Sequence, residues 1–128
     1  MAIKSLPFLV LLLMCVNGGL LSQPTAFAKL YYAAIVRKGP NWTPEQTPEI
    51  VRSGQEHRQY LENLVSRGIL VLAGPFTDNG EIRGIYVFKV ESQQQAKTLC
   101  DQAPAVRSGH LAVEVHPWQM ANEIVVRR

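Results

Sequence analysis

The segment from Glu49 to Gly68, EIVRSGQEHRQYLENLVSRG, constrains the fold of this chain more than any other stretch. Its apolar and small positions recur at Ile50, Gly54, Leu61, Leu64 and Gly68. That spacing of three and four marks one face of an amphipathic helix, which must bury its stripe against another element. At about 100° per residue, His57 falls inside the stripe. The charges Arg52, Glu56, Arg58, Glu62 and Arg67 mostly lie elsewhere around the cylinder. A titratable ring aimed at a core needs a hydrogen-bond partner, and is either structural or part of a site.

The flanking stretches supply the surface on which this helix packs. Leu30–Arg37 (LYYAAIVR) is apolar and aromatic and reads as a strand. Gly39–Pro48 carries three prolines and reads as a loop, with Thr47 placed to cap the helix and Pro48 at its first position. Gly68 ends the helix, and Ile69–Ala73 (ILVLA) reads as a second, mostly buried strand. After the turn residues Thr77-Asp78-Asn79-Gly80 comes Ile82–Val90, a third strand. Its alternation puts Ile85 and Val87 on one side and Tyr86 and Phe88 on the other. Ser92 and Gln95 form a capping box that opens a second helix, with Ala96, Leu99, Cys100 and Ala103 inside and Pro104 as its terminator. Leu111–Val115 (LAVEV) reads as the last strand, closed by His116-Pro117-Trp118. The order β-α-β-β-α-β predicts an α+β, ferredoxin-like domain with both helices on one face of an antiparallel sheet. Apolar residues on both strand faces call for a cover on the second face, most simply an identical sheet in a homodimer.

The N-terminus speaks for export. Lys4 precedes the apolar run Leu6–Val16, and Ala26-Phe27-Ala28 forms an A-x-A site. These are the parts of a secretory signal peptide over residues 1–28, and the run is too short to span a membrane. The expected mature domain, residues 29–128, would be periplasmic or secreted and free of the membrane. At about 100 residues it suits one small domain with a modest core. The net charge of +3 falls by one with Lys4, and no basic cluster remains, so nucleic acid is not an expected partner. Cys100 is the sole cysteine of the mature chain, and its helical position marks it as a small buried hydrophobe. Asn41-Trp42-Thr43 matches a glycosylation sequon, which matters only in a eukaryotic secretory pathway.

Neither a phosphate loop nor a nucleophile elbow is present, and no cofactor is expected. His110 and Glu114 lie about 13 Å apart along a strand, too far to share a metal ion. Glu114 and His116 share a face but supply only two ligands. No metal site is expected.

Several fragments, in order, resemble the YCII-related (YciI-like) family. They are H-x-x-Y-L-x-x-L-x-x-x-G-x-L at His57–Leu70, A-G-P at Ala73–Pro75, the strand Gly84–Val90, and APAVRSGHLAVEVHPW at Ala103–Trp118. The resemblance implies a ferredoxin-like subunit that pairs through its sheet in a dimeric α/β-barrel. It also implies a His–Asp pair in a cleft, acting on a small organic compound. The histidine of that pair corresponds to His57. The acid's position, just before the proline, is held by Ala103. Asp101 lies two residues earlier, about 200° around a regular helix, and would serve only as a displaced partner.

The sequence therefore predicts that His57 is a general acid or base toward a small cyclic compound, with Asp101 as candidate partner and Tyr86 or His110 as auxiliary groups. The alternative is a non-catalytic ligand-binding or scaffold protein, because the partner acid is replaced by Ala103.

Overall fold

The computed structural model describes residues 29–120. The expected signal peptide at 1–28 and the Arg127-Arg128 tail lie outside the described residues. The elements are β1 (Lys29–Lys38), α1 (Pro48–Ser66), β2 (Leu70–Pro75), β3 (Ile82–Phe88), α2 (Gln93–Gln102), α3 (Pro104–Arg107) and β4 (Leu111–Met120).

The four strands form one antiparallel sheet in the order β2-β3-β1-β4, the ferredoxin-like arrangement. Alternation along the strands sorts side chains onto two faces. On the helix side, Tyr32, Ala34, Val36, Tyr86, Phe88 and Leu70 pack against Leu64 of α1 and Ala96 and Cys100 of α2. On the opposite side Tyr31, Val87 and Met120 form a smaller buried cluster, with Val71 and Ile85 beside them.

The ends of α1 follow from the residues that flank it. The Ile50 N–H donates to Thr47 Oγ1 at 3.3 Å, and Pro48 opens the helix. At the other end Gly68 takes a left-handed φ of 70°. The Gly68 N–H then reaches the Val65 carbonyl and the Ile69 N–H the Leu64 carbonyl, closing the helix as a Schellman motif. At the start of α2, Ser92 Oγ accepts from the Gln95 N–H at 3.1 Å. The Gln95 side chain accepts in turn from the Glu91 N–H, one residue before the cap. Tyr60 Oη donates to the Leu99 carbonyl at 2.8 Å and ties the two helices together.

The structure corrects the sequence reading in four places. Pro104 does not simply end the second helix. It begins the short α3, where its fixed φ suits a first helical turn. β4 runs through Pro117 to Met120, because an edge strand tolerates a residue without an N–H. β3 stops at Phe88 rather than Val90. β2 is not mostly buried: it is the other edge, and Leu72 and Ala73 are exposed.

A register shift between Leu70 and Leu72 has a consequence for the site. Leu70 pairs with Phe88 and Leu72 with Val87, so Val71 is an extra residue. From there Ala73 is opposite Tyr86 and Pro75 opposite Gly84. The bulge thus turns Ala73 and Pro75 toward the helices. At this point β2 and β3 approach closely, and a Cβ on Gly84 would lie 2.5 Å from the Gly74 carbonyl oxygen. Gly84→Ala should force the edge strand outward and cost about 1–3 kcal/mol, as overpacking does. A lower urea midpoint at unchanged m-value would show it; an unchanged midpoint would contradict this packing.

Candidate functional site

α1 does not lie flat on the sheet along its whole length. Its C-terminal half is packed, with Leu64 only 1% exposed. Its N-terminal half stands over a cavity of about 410 Å³. Gly54, His57, Arg58 and Leu61 line this cavity from the helix. They are spaced at three, four and seven residues and so share one face. Arg58 is exposed, in keeping with the charge pattern, and borders the inward stripe closely enough to line the mouth of the cavity. Tyr86 and Gly84 form part of the floor, Ala73 and Pro75 one side, and Trp42, Ala105 and His110 the other.

His57 has one partner in the cavity wall. Its Nε2 lies 2.9 Å from Tyr86 Oη. The other ring nitrogen, Nδ1, is buried without a hydrogen-bond partner. Burial holds the imidazole below its ordinary value of 6.5, so the ring is neutral at pH 7. Burial also pushes the Tyr86 hydroxyl well above the usual phenol range, so it keeps its proton. Two tautomers satisfy this pair. With the ring proton on Nδ1, the Tyr86 O–H donates to Nε2. With it on Nε2, the ring donates to Tyr86 Oη and leaves the phenol proton free for a ligand. Phe88 meets the Tyr86 ring edge-on at 6.3 Å and 83°, which fixes the phenol from the side of the core.

The rim is built by the loop after β1 and the chain entering β4. The Gly39 N–H donates to the His110 carbonyl, the Asn41 N–H to the Gly109 carbonyl, and Asn41 Nδ2 to the Ser108 carbonyl. These bonds seat Trp42 on His110 with ring centroids 4.5 Å apart. The Arg83 guanidinium lies 5.2 Å from the Trp42 ring. Its Nη1 donates to the Asp78 and Gly80 carbonyls at 2.9 and 3.3 Å.

Of the residues singled out in the sequence, His57, Tyr86 and His110 come together around the cavity. Asp101 does not join them. It is exposed on α2 and accepts from Lys97 Nζ at 2.6 Å, one helical turn away. Ala103 is buried at the junction of α2 and α3. Glu114 bonds His116 and Arg37 on the sheet face away from the helices, outside the cavity. Cys100 is buried in the core, and burial pushes its thiol up to about 12, with Asp101 adding to the rise. Arg83 and Trp42 were not foreseen. The only sequence signal for them is an aromatic residue within a proline-rich loop and an arginine at the start of β3.

With this geometry in place, the comparisons define the class. A model of the YCII-related domain matches residues 30–119, and the chain belongs to that family. Comparison with curated proteins yields no match. Among solved structures, the chain is similar to a 5-chloro-2-hydroxyhydroquinone dehydrochlorinase from Burkholderia phenoliruptrix, determined with 2,5-dihydroxybenzoquinone. The two share 20% identity with a TM-score of 0.50, over 70% of this chain and 93% of that one. That likeness supports the fold.

The lowered pKa of His57 links folding to pH. Between its folded value and 6.5 the unfolded chain binds the proton more readily, so this group's contribution is complete above pH 6.5. It is lost as pH falls through the folded pKa. Urea midpoints measured from pH 8 to 5 should fall more steeply for the wild type than for His57→Asn. Parallel curves would refute a depressed pKa.

Proposed function

We propose that this protein acts on a small cyclic or aromatic compound held in the 410 Å³ cavity, with His57 as the group that takes and returns a proton. The observation that carries the reading is the 2.9 Å contact between His57 Nε2 and Tyr86 Oη in the cavity wall. A base at pH 7 must be unprotonated, and burial keeps this imidazole so. In the tautomer with Nδ1 protonated, the Tyr86 O–H occupies the Nε2 lone pair. When a substrate oxygen enters, the phenol proton turns to it and Nε2 is vacated. The substrate's proton then passes to Nε2, giving imidazolium, while the Tyr86 O–H stabilises the charge that develops on oxygen. Return of the proton completes an isomerisation or, with loss of a leaving group, an elimination.

A second reading is favoured by the unpartnered Nδ1 and by Ala103. Without a carboxylate at Nδ1, nothing stabilises the imidazolium, and the cavity would bind its ligand unchanged. One experiment separates the two. Chlorinated and hydroxylated hydroquinones, the compound class on which the structural neighbour acts, are incubated with the protein and followed by mass spectrometry. Catalysis predicts conversion, and His57→Asn should lower its rate about 10²-fold or more. Equal rates in both proteins would remove His57 from the mechanism. Bound but unconverted compound would establish the second reading.

Export and pairing belong to the same proposal. The charged start, short apolar run and A-x-A site support cleavage after Ala28 and a periplasmic or secreted protein. The exposed Leu72 and Trp118 on the far sheet face support a homodimer through that face. Protein recovered from a periplasmic extract should begin at Lys29 by intact mass and scatter light as a dimer at micromolar concentration. Retention of residues 1–28 would overturn the first statement, and a monomeric mass the second.

A further inference from the structure

We infer that the His57 cavity is the inner half of a two-compartment site for a small ring bearing an anionic group, and that Gly54 keeps the passage between the halves open. This rests on the cavity being the functional site, but not on its being catalytic.

A second hollow, of about 850 Å³, lies outside the first, between the start of α1 and α3. Gly54, Arg58, Ala105 and His110 line both. They form the threshold. The inner compartment presents Val36, Leu61, Ala73 and Leu111 with the His57–Tyr86 pair at its wall. Such a mixture of apolar walls and a few convergent polar atoms suits a planar ring.

The charges choose the substituent. Among the described residues no Asp or Glu lines the inner compartment, whereas Arg58 and Arg83 both do. Among the described residues neither arginine is paired with a carboxylate. Arg83 is held by two backbone carbonyls and the Trp42 face, so it is oriented without being neutralised. Lys38 Nζ stands 5.6 Å from the same indole and adds to the positive field. The outer groove does contain Glu49 and Glu56, the latter 3.9 Å from Arg52. An anion is therefore best placed at the threshold, beside Arg58. A carboxylate there can take two parallel hydrogen bonds from the guanidinium, which an ammonium or amide cannot offer.

Gly54 is the residue that ordinary folding requirements leave unexplained. It sits inside α1, where glycine is a poor helix former. Its φ is not left-handed, and a Cβ built on it would meet nothing within 4 Å. Neither backbone nor packing asks for glycine here. An open threshold does.

The test uses three probes of equal reach: 3-phenylpropanoate, 3-phenylpropanamide and 3-phenylpropylamine. Binding is read by calorimetry and by the rise in Tm, on the wild type, Arg58→Gln and Gly54→Leu. The acid should bind the wild type at least tenfold more tightly than the amide, and the amine should give no shift. Arg58→Gln should bring the acid down to the amide. Gly54→Leu should raise the Tm of the free protein, since leucine favours the helix, yet weaken the acid at least tenfold. That rise shows the variant is folded. Equal binding of acid and amide, or no binding of the acid at millimolar concentration, overturns the anion assignment. Undiminished acid binding by Gly54→Leu overturns the gate. A protein that binds the acid through Arg58 but converts no hydroquinone refutes only the catalytic reading.

Discussion

The site depends on a change of character along one face of α1. At its C-terminal half the stripe is filled: Leu64 is buried among Leu70, Phe88 and Cys100 and closes the contact with the sheet. One turn or more toward the N-terminus the same stripe offers His57 and then Gly54, which reach far less apolar volume into the gap. Helix and sheet are rigid, so the space is not closed by collapse. Cavities persist where the surroundings cannot relax into them. The hollow is thus a consequence of which residues occupy the inward positions, and the polar groups it contains are those that the same periodicity aims at it.

A buried polar pair in such a place must satisfy itself. His57 Nε2 and Tyr86 Oη do so for each other, and their mutual burial keeps one neutral and the other protonated at pH 7. The bulge at Val71 acts on the same compartment from the opposite edge. It inserts one residue, turns Ala73 and Pro75 inward, and lets small side chains rather than Leu72 face Tyr86. Had the register run on unbroken, Leu72 would project into the space a ring would occupy. The exposed Leu72 is the counterpart of that open space.

Most of the architecture was legible because it rests on local signals. Thr47 and Pro48 mark the start of α1, Gly68 its end, and the alternation of Tyr86 and Phe88 with Val87 sorts β3 onto two faces. His57 was legible for the same reason, as an anomaly in a periodic pattern. What could not be read depends on contacts between distant segments. The pairing of His57 with Tyr86 spans 29 residues, and Trp42 reaches the rim only through bonds to Ser108, Gly109 and His110. Helical periodicity is also coarse at the borders of a stripe: Arg58 is exposed and still lines the cavity mouth. The bulge leaves no mark in the sequence, because LVLA reads as an unbroken strand.

Ala103 brings the remaining features together. It is the position at which the family pattern expects an acid, and it carries a methyl group with no polar atom. Two polar deficits are found on α3 and on α1, which pack against each other. Ala103, the N-cap of α3, offers no side-chain acceptor, where an Asp would supply one worth about 0.5–2 kcal/mol. α3 packs against α1, and on α1 the His57 Nδ1 is buried without a partner, a loss of about 1–3 kcal/mol for an unsatisfied polar atom. A carboxylate in this neighbourhood is the kind of group that could answer both needs, and Asp101 answers neither because Lys97 holds it on the outer face of α2. The acid–base capacity of the cavity is therefore confined to Nε2 and the Tyr86 hydroxyl, without the anion that would raise the ring's basicity. An imidazole in that condition is a weak base but a well-placed neutral hydrogen-bonding group. The positive charge around the cavity then comes from Arg58 and Arg83 rather than from His57.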